Sequence, residues 1–397
     1  MGPAKGSITW YAINFGPDGL PQRLVDAFEE EHPDISVTYQ AAPNNTDTMR
    51  ATLTTEISGG SGAIDVYNGD VVWPSQFGSA QLAMPLDAHL PDDFWDRFPE
   101  ERADVTLHDG EHLAAPLYVD TGFLFYRADL LEKHDLPVPE TWEELADTAA
   151  KLQRAGDVRY GYVAQWANYE GLTVNWTELS AAAGGHSVDD GAAAIDSPEN
   201  RRVLDFMRRL LDEGVAPAAM TSFQEQQSLQ TFVEGEAAFH RNWSYAWSEA
   251  NTPESPIAGK IGVSALPAFE GEDRPGPSGT GGWNLMINPH SDAIGAGLAF
   301  IEWMTGPTAQ RMLAESSVLP AVDEVLNDRE LQRDNPTLAA AARVPLVSRP
   351  SDSPRYAQVS NGIFTNINGS LAGSVPPGSA LRAAQHDIGK ALKGRAL

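Results

Sequence analysis

The hydrophobic positions of the first seventy residues alternate between strand-like and helix-like spacing. Residues 8–13 are β-branched and aromatic and predict a strand, and residues 35–39 predict a second strand by alternation. Between them, apolar residues over 20–28 recur at helical spacing. The pattern then repeats with a predicted helix over 47–58 and a strand over 64–67. This succession of elements predicts an α/β fold.

Polar residues follow two of these predicted strands. Asn14 comes after the first strand, and Asp70 lies in a predicted loop over 68–70. Ligands of α/β sheets bind at the carboxyl ends of the strands. We therefore expect Asn14 and Asp70 to lie near one rim of a sheet.

One carboxylate, Asp120, stands among apolar residues in the first third of the chain. It belongs to a predicted strand over 115–121, which contains Pro116 and is separated by Gly122 from an aromatic strand over 123–127. A buried carboxylate is costly unless it is hydrogen-bonded or paired. Asp120 is therefore either a strand end at a solvated turn or an acid whose partner lies inside the protein or on a ligand.

The chain after residue 140 carries further helical and extended patterns. Thr141 and Glu144 have the spacing of a capping box at the start of a helix over 142–152. Further helices are predicted over 201–213, 228–239, 292–305, 307–316, 337–343 and 378–393, strands over 161–166, 261–267 and 283–287, and a glycine-rich loop over 276–282.

Large aromatic residues cluster beside two of the predicted turns. Trp243 lies between Asn242 and Ser244 at an expected helix start, which suits a cleft, whereas for Trp247 we favour core packing. Trp283 follows several glycines, which permit close approach of a ligand to the backbone, although this stretch could also be only a flexible turn. Rings together with scattered Asp, Asn and Arg suit a carbohydrate.

Composition and charge limit the number of domains and the kinds of partner that fit the chain. A chain of 397 residues with 42% hydrophobic residues is expected to form two domains. The net charge of −28 would repel nucleic acid and anionic lipid, so we expect no nucleic-acid partner. No apolar stretch is long enough for a membrane span. Residues 1–7 look like a trimmed or engineered start, so an export signal, if one existed, has been removed.

Sequence signatures of common enzyme and metal sites are missing. The chain has no cysteine, no nucleophile elbow and no dinucleotide or phosphate-binding glycine motif, and its nine histidines give no pair at metal-ligand spacing on a predicted helix. We expect no cofactor, no metal and no enzyme activity. A glycoside hydrolase remains an alternative, because two of the 55 acids could form a catalytic pair in three dimensions.

The order of these patterns resembles the extracellular solute-binding proteins of ABC sugar importers, the maltose-binding class. The resemblance lies in 115–131, 139–145, 232–239 leading to Trp243, 281–285 and 299–305, which together cover nearly the whole chain. It implies a two-lobed periplasmic-binding-protein fold, each lobe a β-sheet flanked by helices, with a ligand cleft between the lobes. The implied N-terminal lobe spans 7–117 plus 268–323, and the implied C-terminal lobe spans 118–267 plus 324–397.

The resemblance also implies roles for individual residues. Asp70 and Asp120 would accept hydrogen bonds from sugar hydroxyls, and the backbone at Gly281 and Gly282 would contact further hydroxyls. Arg355 would reach in from the C-terminal part. Four rings would stack on or line the site: Tyr118, Trp243, Tyr245 and Trp283.

Within this class, residues 65–74 and 165–172 look most like the trehalose/maltose branch. Trehalose-type relatives tend to carry Asn-Glu where this chain has Asn14-Phe15, which leaves the sugar open. The implied protein is a monomeric, extracytoplasmic binding protein, either a periplasmic protein or a cell-surface lipoprotein. It would capture a disaccharide such as trehalose or maltose by lobe closure and deliver it to the transmembrane subunits of an ABC permease. A same-fold binder of another oligosaccharide or of a polyamine is a further alternative.

Overall fold

In a computed structural model, which describes residues 4–17, 19–91, 93–351 and 353–394, the chain forms two compact α/β units. Unit 1 comprises residues 1–120 and 281–339, and unit 2 comprises residues 121–280 and 340–397. The chain passes from one unit to the other at three places, 120/121, 280/281 and 339/340. The lobe boundaries expected from the sequence, at 117/118, 267/268 and 323/324, stay a prediction.

The first stretch of unit 1 begins with the β-α-β pattern that the sequence predicts. Its elements are β1 (Gly6–Ala12), α1 (Leu20–Glu31), β2 (Ile35–Ala41), α2 (Thr46–Ser58), β3 (Val66–Asp70), α3 (Pro74–Ser79), a 3₁₀ turn (Trp95–Arg97), α4 (Glu100–Asp104), β4 (Leu107–His108), β5 (Glu111–His112) and β6 (Ala115–Thr121).

The middle stretch belongs to unit 2. Its elements are β7 (Phe123–Arg127), α5 (Ala128–Lys133), α6 (Trp142–Arg154), β8 (Tyr160–Val163), α7 (Glu170–Ala182), β9 (Val188–Asp189), β10 (Ala192–Ala193), α8 (Pro198–Asp212), a 3₁₀ turn (Ala218–Ser222), α9 (Glu225–Val233), β11 (Ala237–Asn242), α10 (Ala246–Ala250) and β12 (Ile261–Ser264).

The last stretch returns to unit 1 and then to unit 2. Its elements are β13 (Ser278–Ile287), α11 (Ile294–Met304), α12 (Pro307–Glu315), α13 (Asp323–Leu326), α14 (Arg329–Asp334), α15 (Pro336–Ala341), β14 (Leu346–Val347), α16 (Tyr356–Leu371) and α17 (Pro377–Leu392). The three passages between the units fall inside β6, β13 and α15.

The sheet of unit 1 is parallel on one side and antiparallel on the other. β2 pairs with β1 and β1 with β3 in parallel, and β3 pairs with β13 in antiparallel register. β6 also pairs with β13. Helices α1 and α11 bury the sheet through aromatic packing, since the ring of Phe300 lies 5.3 Å from Trp10 and 5.1 Å from Phe28.

Unit 2 has its own mixed sheet in the order β12-β7-β11-β8. β7 runs antiparallel to β12 and β11, and β11 runs parallel to β8. Its core contains Trp142, whose ring lies 5.8 Å from Tyr162 and 6.1 Å from Phe206. The capping box predicted for α6 is confirmed, because Thr141 Oγ1 accepts the Glu144 N–H at 3.1 Å and the Glu144 carboxylate accepts the Thr141 N–H.

Two predicted loops are strands. Residues 68–70 complete β3, and residues 278–282 begin β13, because the ladder between β3 and β13 continues across the Asn-Gly-Asp segment as far as the Asp70–Trp283 pair. The helix predicted over 228–239 is also wrong in its second half. α9 ends at Val233, and after a glycine with positive φ at Gly235 the chain enters the central strand β11.

Candidate functional site

Asp70 and Trp283 form a cross-strand pair in unit 1. They lie opposite each other in the ladder between β3 and β13, and both are buried. Facing residues of antiparallel strands have neighbouring side chains. Asp70 also ends the strand, where one carboxylate oxygen accepts the Val72 N–H at 3.2 Å. The ladder thus holds a carboxylate beside an indole. The two residues are more than 200 positions apart in the sequence, so no local pattern predicts their contact.

Trp73 adds a second indole to this pair. Its ring meets that of Trp283 edge to face at 5.7 Å and stacks on Phe77 at 5.1 Å. Trp73 is not among the site residues expected from the sequence, although it stands three positions after Asp70 in the stretch that resembles the trehalose/maltose branch. Proximity to Asp70 was the signal that could have identified it.

Tyr118 lies against Phe15, the residue that follows Asn14. The two rings are 5.0 Å apart, and Phe15 also meets Trp10 edge to face at 6.1 Å. Both Phe15 and Tyr118 are buried. At this position the chain therefore presents an aromatic pair and no carboxylate.

Gly282 allows β6 and β13 to approach closely beside Asp120. Its φ is +122°, and a Cβ there would clash with the Tyr118 carbonyl oxygen and lie 2.8 Å from Val119 Cα. The Gly282 carbonyl accepts the Val71 N–H at 3.3 Å. Asp120 is buried within β6 at 9% exposure, so the alternative of a solvated turn is wrong. Gly281 is also buried.

Asn14 lies at the same end of the unit 1 sheet as Asp70. It follows the carboxyl end of β1, which runs parallel to β3 in the register Tyr11 opposite Tyr67. Its side chain is exposed. The structure thus brings six predicted positions to the strands β3, β6 and β13, with Asn14 at their rim: Asp70, Tyr118, Asp120, Gly281, Gly282 and Trp283.

Trp243 and Tyr245 of unit 2 follow the carboxyl end of the central strand β11. Both side chains are partly exposed. The Arg241 guanidinium lies over one face of the Trp243 ring, with Cζ 4.2 Å from the ring centroid. Trp247, for which core packing is expected, lies in α10 and is partly exposed as well.

A buried ion pair lies beneath Trp243. Arg241 Nε donates to Glu178 Oε2 at 2.8 Å, Nη2 donates to Glu178 Oε1, and both side chains are 2% exposed. Arg241 Nη1 donates to Gln165 Oε1 at 3.2 Å. None of these three is among the site residues expected from the sequence, because the residues of this cluster lie 63 or more positions apart from Arg241.

Glu225 forms a second polar contact of Trp243. Its carboxylate accepts the Tyr169 hydroxyl at 2.8 Å and a hydrogen bond from the Trp243 side chain. Burial raises the pKa of Glu225 above its ordinary value, while the hydrogen bonds from its own backbone and from Tyr169 act in the opposite direction. Polar groups thus contact the Trp243 ring on one face, through Arg241, and at its edge, through Glu225.

Arg355, predicted to reach the ligand, is exposed at the start of α16, and its guanidinium lies beside Gly394. Arg349, six residues earlier, is the buried arginine of this segment. Its Nη1 donates to Glu170 Oε1 at 2.8 Å. Arg349 is therefore fixed inside unit 2, and the role proposed for Arg355 stays a prediction.

A separate cavity of about 470 Å³ lies within unit 2. Thr177, Ser187, Asp190 and Arg349 are among its lining residues, and none of the predicted ligand-contacting residues lines it. The cavity therefore lends no support to the predicted site. Within residues 4–17, 19–91, 93–351 and 353–394, no group of three or more His, Asp or Glu is arranged to hold a metal ion. In the same ranges, the helices are all too short or too polar to cross a membrane.

Comparison with known proteins shows the family. Residues 17–311 match the family model of the bacterial extracellular solute-binding proteins. A probable ABC transporter-binding protein of Deinococcus radiodurans is 33% identical and covers 89% of this chain and 86% of its own. A mannitol-binding protein of Pseudomonas aeruginosa is 26% identical and covers 94% and 90%.

Among solved structures, the maltose-bound MalE3 of T. maritima is similar with a TM-score of 0.91 and 31% identity. The match covers 96% of this chain and 98% of that one. The mixed α/β architecture, the family model and this neighbour agree, and the chain belongs to the bacterial extracellular solute-binding proteins.

Proposed function

We propose that the chain is the substrate-binding component of an ABC importer and captures a disaccharide, a trehalose- or maltose-like α-glucoside. The observation that carries this proposal is the pairing of Asp70 with Trp283 across the unit 1 ladder. A sugar ring has apolar CH faces that stack on an indole and hydroxyls that need charged acceptors. A carboxylate beside an indole offers both.

Membership of the family carries the general part of this function. The family consists of extracellular proteins that bind solutes, so the chain is a solute-binding protein that acts outside the cytoplasm. The kind of solute, the permease and a monomeric state are the proposed part.

Further residues of unit 1 support a ligand rich in hydroxyls. Asp120 is a second buried carboxylate, two residues from the ring of Tyr118. A site built to pair hydroxyls discriminates strongly against ligands that leave its polar groups unpaired. Phe15 contributes an apolar ring where the trehalose-type pattern has an acid, which favours a sugar that presents a CH face at this point.

Unit 2 supplies a ring of the same kind. Trp243 is partly exposed and has one face covered by Arg241, so its other face is the one that a sugar could stack on. Tyr245 follows two residues later and is also partly exposed. The maltose bound to the T. maritima relative supports a glucoside ligand, whereas the name of the P. aeruginosa relative makes a polyol the competing ligand.

Hinge closure is the proposed mechanism. A ligand shifts an equilibrium between open and closed states only by its differential affinity for them. A sugar that contacts Asp70 and Asp120 of unit 1 as well as Trp243 of unit 2 would favour the closed state, and the permease would recognise that state. In binding proteins of this kind, a few residues between lobes absorb the change.

A thermal-shift screen followed by calorimetry tests the ligand class. Trehalose, maltose, maltotriose and mannitol should be compared with a polyamine, and we expect the melting temperature to rise most with a disaccharide. A rise with mannitol alone would exclude the disaccharide assignment. Release of nitrophenol from a chromogenic α-glucoside would instead support the glycoside hydrolase alternative.

The substitution Asp120→Asn tests the role of the carboxylate in β6. It preserves size while removing the charge, and we expect the binding free energy of the best sugar to weaken by about 2 kcal/mol. Asp65→Asn is the matched control, since Asp65 is a buried carboxylate of the same unit whose oxygens accept the Thr9 N–H at 2.8 Å and the Ser291 hydroxyl at 2.5 Å. The control should lower stability and leave affinity unchanged. Equal affinity of the Asp120→Asn variant and the parent would refute the assignment of Asp120.

A further inference from the structure

The Trp243 ring rests on a side chain that a buried ion pair holds in place. Arg241 covers one face of the ring at 4.2 Å, yet its own side chain is 2% exposed. A guanidinium is planar and can stack on an aromatic ring while its edge binds a carboxylate. Arg241 does both, because its Nε and Nη2 donate to the two oxygens of Glu178.

Further contacts fix both partners of this ion pair. Arg241 Nη1 donates to Gln165 Oε1, whose Nε2 in turn donates to the Arg241 carbonyl at 2.9 Å. Glu178 belongs to α7, which is buried on almost every side. Rotating the guanidinium would leave a buried charge without its hydrogen bonds, which is costly. The face of Trp243 that lies on Arg241 is therefore held in one orientation.

The same ion pair contacts two strand segments at which the chain leaves or enters unit 2. Glu178 Oε1 accepts the Gly279 N–H at 3.0 Å, one residue before the last position of this segment in unit 2. A Cβ at Gly122 would clash with Glu178 Oε1 and lie 2.7 Å from Arg241 Nη2. Ser278 Oγ donates to the Gly122 carbonyl at 2.7 Å, which joins the two segments to each other.

We propose that Arg241 and Glu178 are positioning residues. They orient Trp243 for sugar stacking and tie that ring to the crossover segments at Gly122 and Gly279, without contacting the sugar. The proposal rests on the proposed sugar-binding function and adds a link between the ring that contacts the ligand and the segments where the chain changes unit. Glu225, which accepts a hydrogen bond from the Trp243 side chain, holds the ring edge.

Arg241→Lys tests the link to Trp243, with maltose as the calorimetric probe. Lysine preserves the charge but cannot lie flat on the ring while binding both carboxylate oxygens. We expect affinity for maltose to fall about tenfold. In a Trp243→Ala background, the same substitution should have no further effect on affinity, because the residue through which it acts is gone. Additive losses in the two backgrounds would overturn the positioning role.

A second readout does not depend on the ligand. In protein labelled with 5-fluorotryptophan, the Trp243 resonance is assigned by its loss in Trp243→Phe. Arg241→Lys should shift or broaden this signal without sugar, while the signal of Trp10 in unit 1 stays in place. An unchanged Trp243 resonance would overturn the proposal. A parent protein that binds no sugar of the panel would overturn the proposed function only.

Gly122→Ala tests the link to the crossover segment while leaving both charges in place. The added methyl group presses on Glu178 Oε1 and Arg241 Nη2, so we expect the same Trp243 resonance to move and maltose affinity to fall several-fold. Gly389→Ala in α17 is the matched control, since a Cβ there meets nothing within 4 Å. If Gly122→Ala behaves like this control, the coupling to the crossover segments is wrong.

Discussion

The two units hold their proposed ligand-contacting residues by different physical means. In unit 1, Asp70 and Trp283 are placed by a strand ladder, and Gly282 lets a neighbouring strand approach. In unit 2, Trp243 rests on the buried ion pair of Arg241 with Glu178. Backbone hydrogen bonds form the first arrangement, and side-chain charges form the second.

This difference predicts different weaknesses. We expect the strand ladder to keep its stability when a charge changes. It should lose stability when an added side chain occupies the space of backbone atoms. A buried ion pair is disrupted most when one charge is removed, since the other is left without compensation. Substitutions in the two units can test this contrast, and the largest effect is expected at Glu178.

Glu178→Ala should give the largest loss of stability. It leaves the Arg241 guanidinium buried without its carboxylate, and we expect the free energy of unfolding of unit 2 to fall by about 3 to 5 kcal/mol in chemical denaturation. Glu236→Ala removes an exposed ion pair of the same unit, in which Arg159 lies 3.7 Å away, and should change stability by about 0.5 kcal/mol at most. Similar losses of unfolding free energy for both variants would show that burial does not decide how much an ion pair contributes to stability.

Gly282→Ala should destabilise unit 1 by about 3 kcal/mol, since the residue has a φ of +122° and its Cβ would meet backbone atoms of β6. Gly6→Ala separates these two causes, because Gly6 has a similar φ of +112° with nothing within 4 Å of a Cβ. We expect Gly6→Ala to lose only the part of the unfolding free energy that comes from the unfavourable dihedral angle. Equal losses in urea titrations would show that the close approach of β6 and β13 is energetically unimportant.

His240 gives the smallest predicted effect and makes unit 2 sensitive to acid. Burial, together with the charge of Arg241, lowers its pKa to about 3. In the unfolded chain this imidazole has the ordinary pKa of about 6.5. As pH falls from 6.5 towards 3, the unfolded chain therefore binds a proton at His240 that the folded chain does not bind. This group's contribution to stability is therefore complete above pH 6.5 and falls by roughly 2 kcal/mol by pH 5.

His240→Phe isolates this effect. The imidazole packs beside Phe125 and Phe232, so a neutral ring fits its surroundings. The parent should lose stability relative to this variant between pH 6.5 and pH 5. Glu225, whose raised pKa acts with the opposite sign, is common to both proteins and cancels in the difference. Parallel stability curves for the two proteins would refute the lowered pKa of His240.

Elements with local signals were predictable from the sequence. The apolar spacing of α1 and the capping box of α6 lie within single helices, and both were predicted. Helix α7 was missed because almost all its residues are buried, including the polar Glu178, so no contrast between two faces marks it. Residues 278–282 have the sequence of a loop because glycine favours turns in isolation, and only pairing with neighbouring strands makes them extended.

The site shows the same limit. Asp120 could be selected because a lone acid in an apolar strand is a local anomaly, and Trp243 because a ring beside polar residues is another. Trp73, Arg241 and Glu178 carry no such mark, since their importance comes from partners far away in the sequence. Their contacts arise from strand register and helix packing.

The sequence by itself determined the α/β class, the β-α-β start and the strand that contains Asp120, because these follow from short-range spacing and turn chemistry. Only the tertiary structure decided that Asp70 faces Trp283 and that Arg241 supports Trp243. Cross-strand register and buried charge pairing depend on residues brought together from distant positions. Desolvation then makes those long-range contacts energetically decisive.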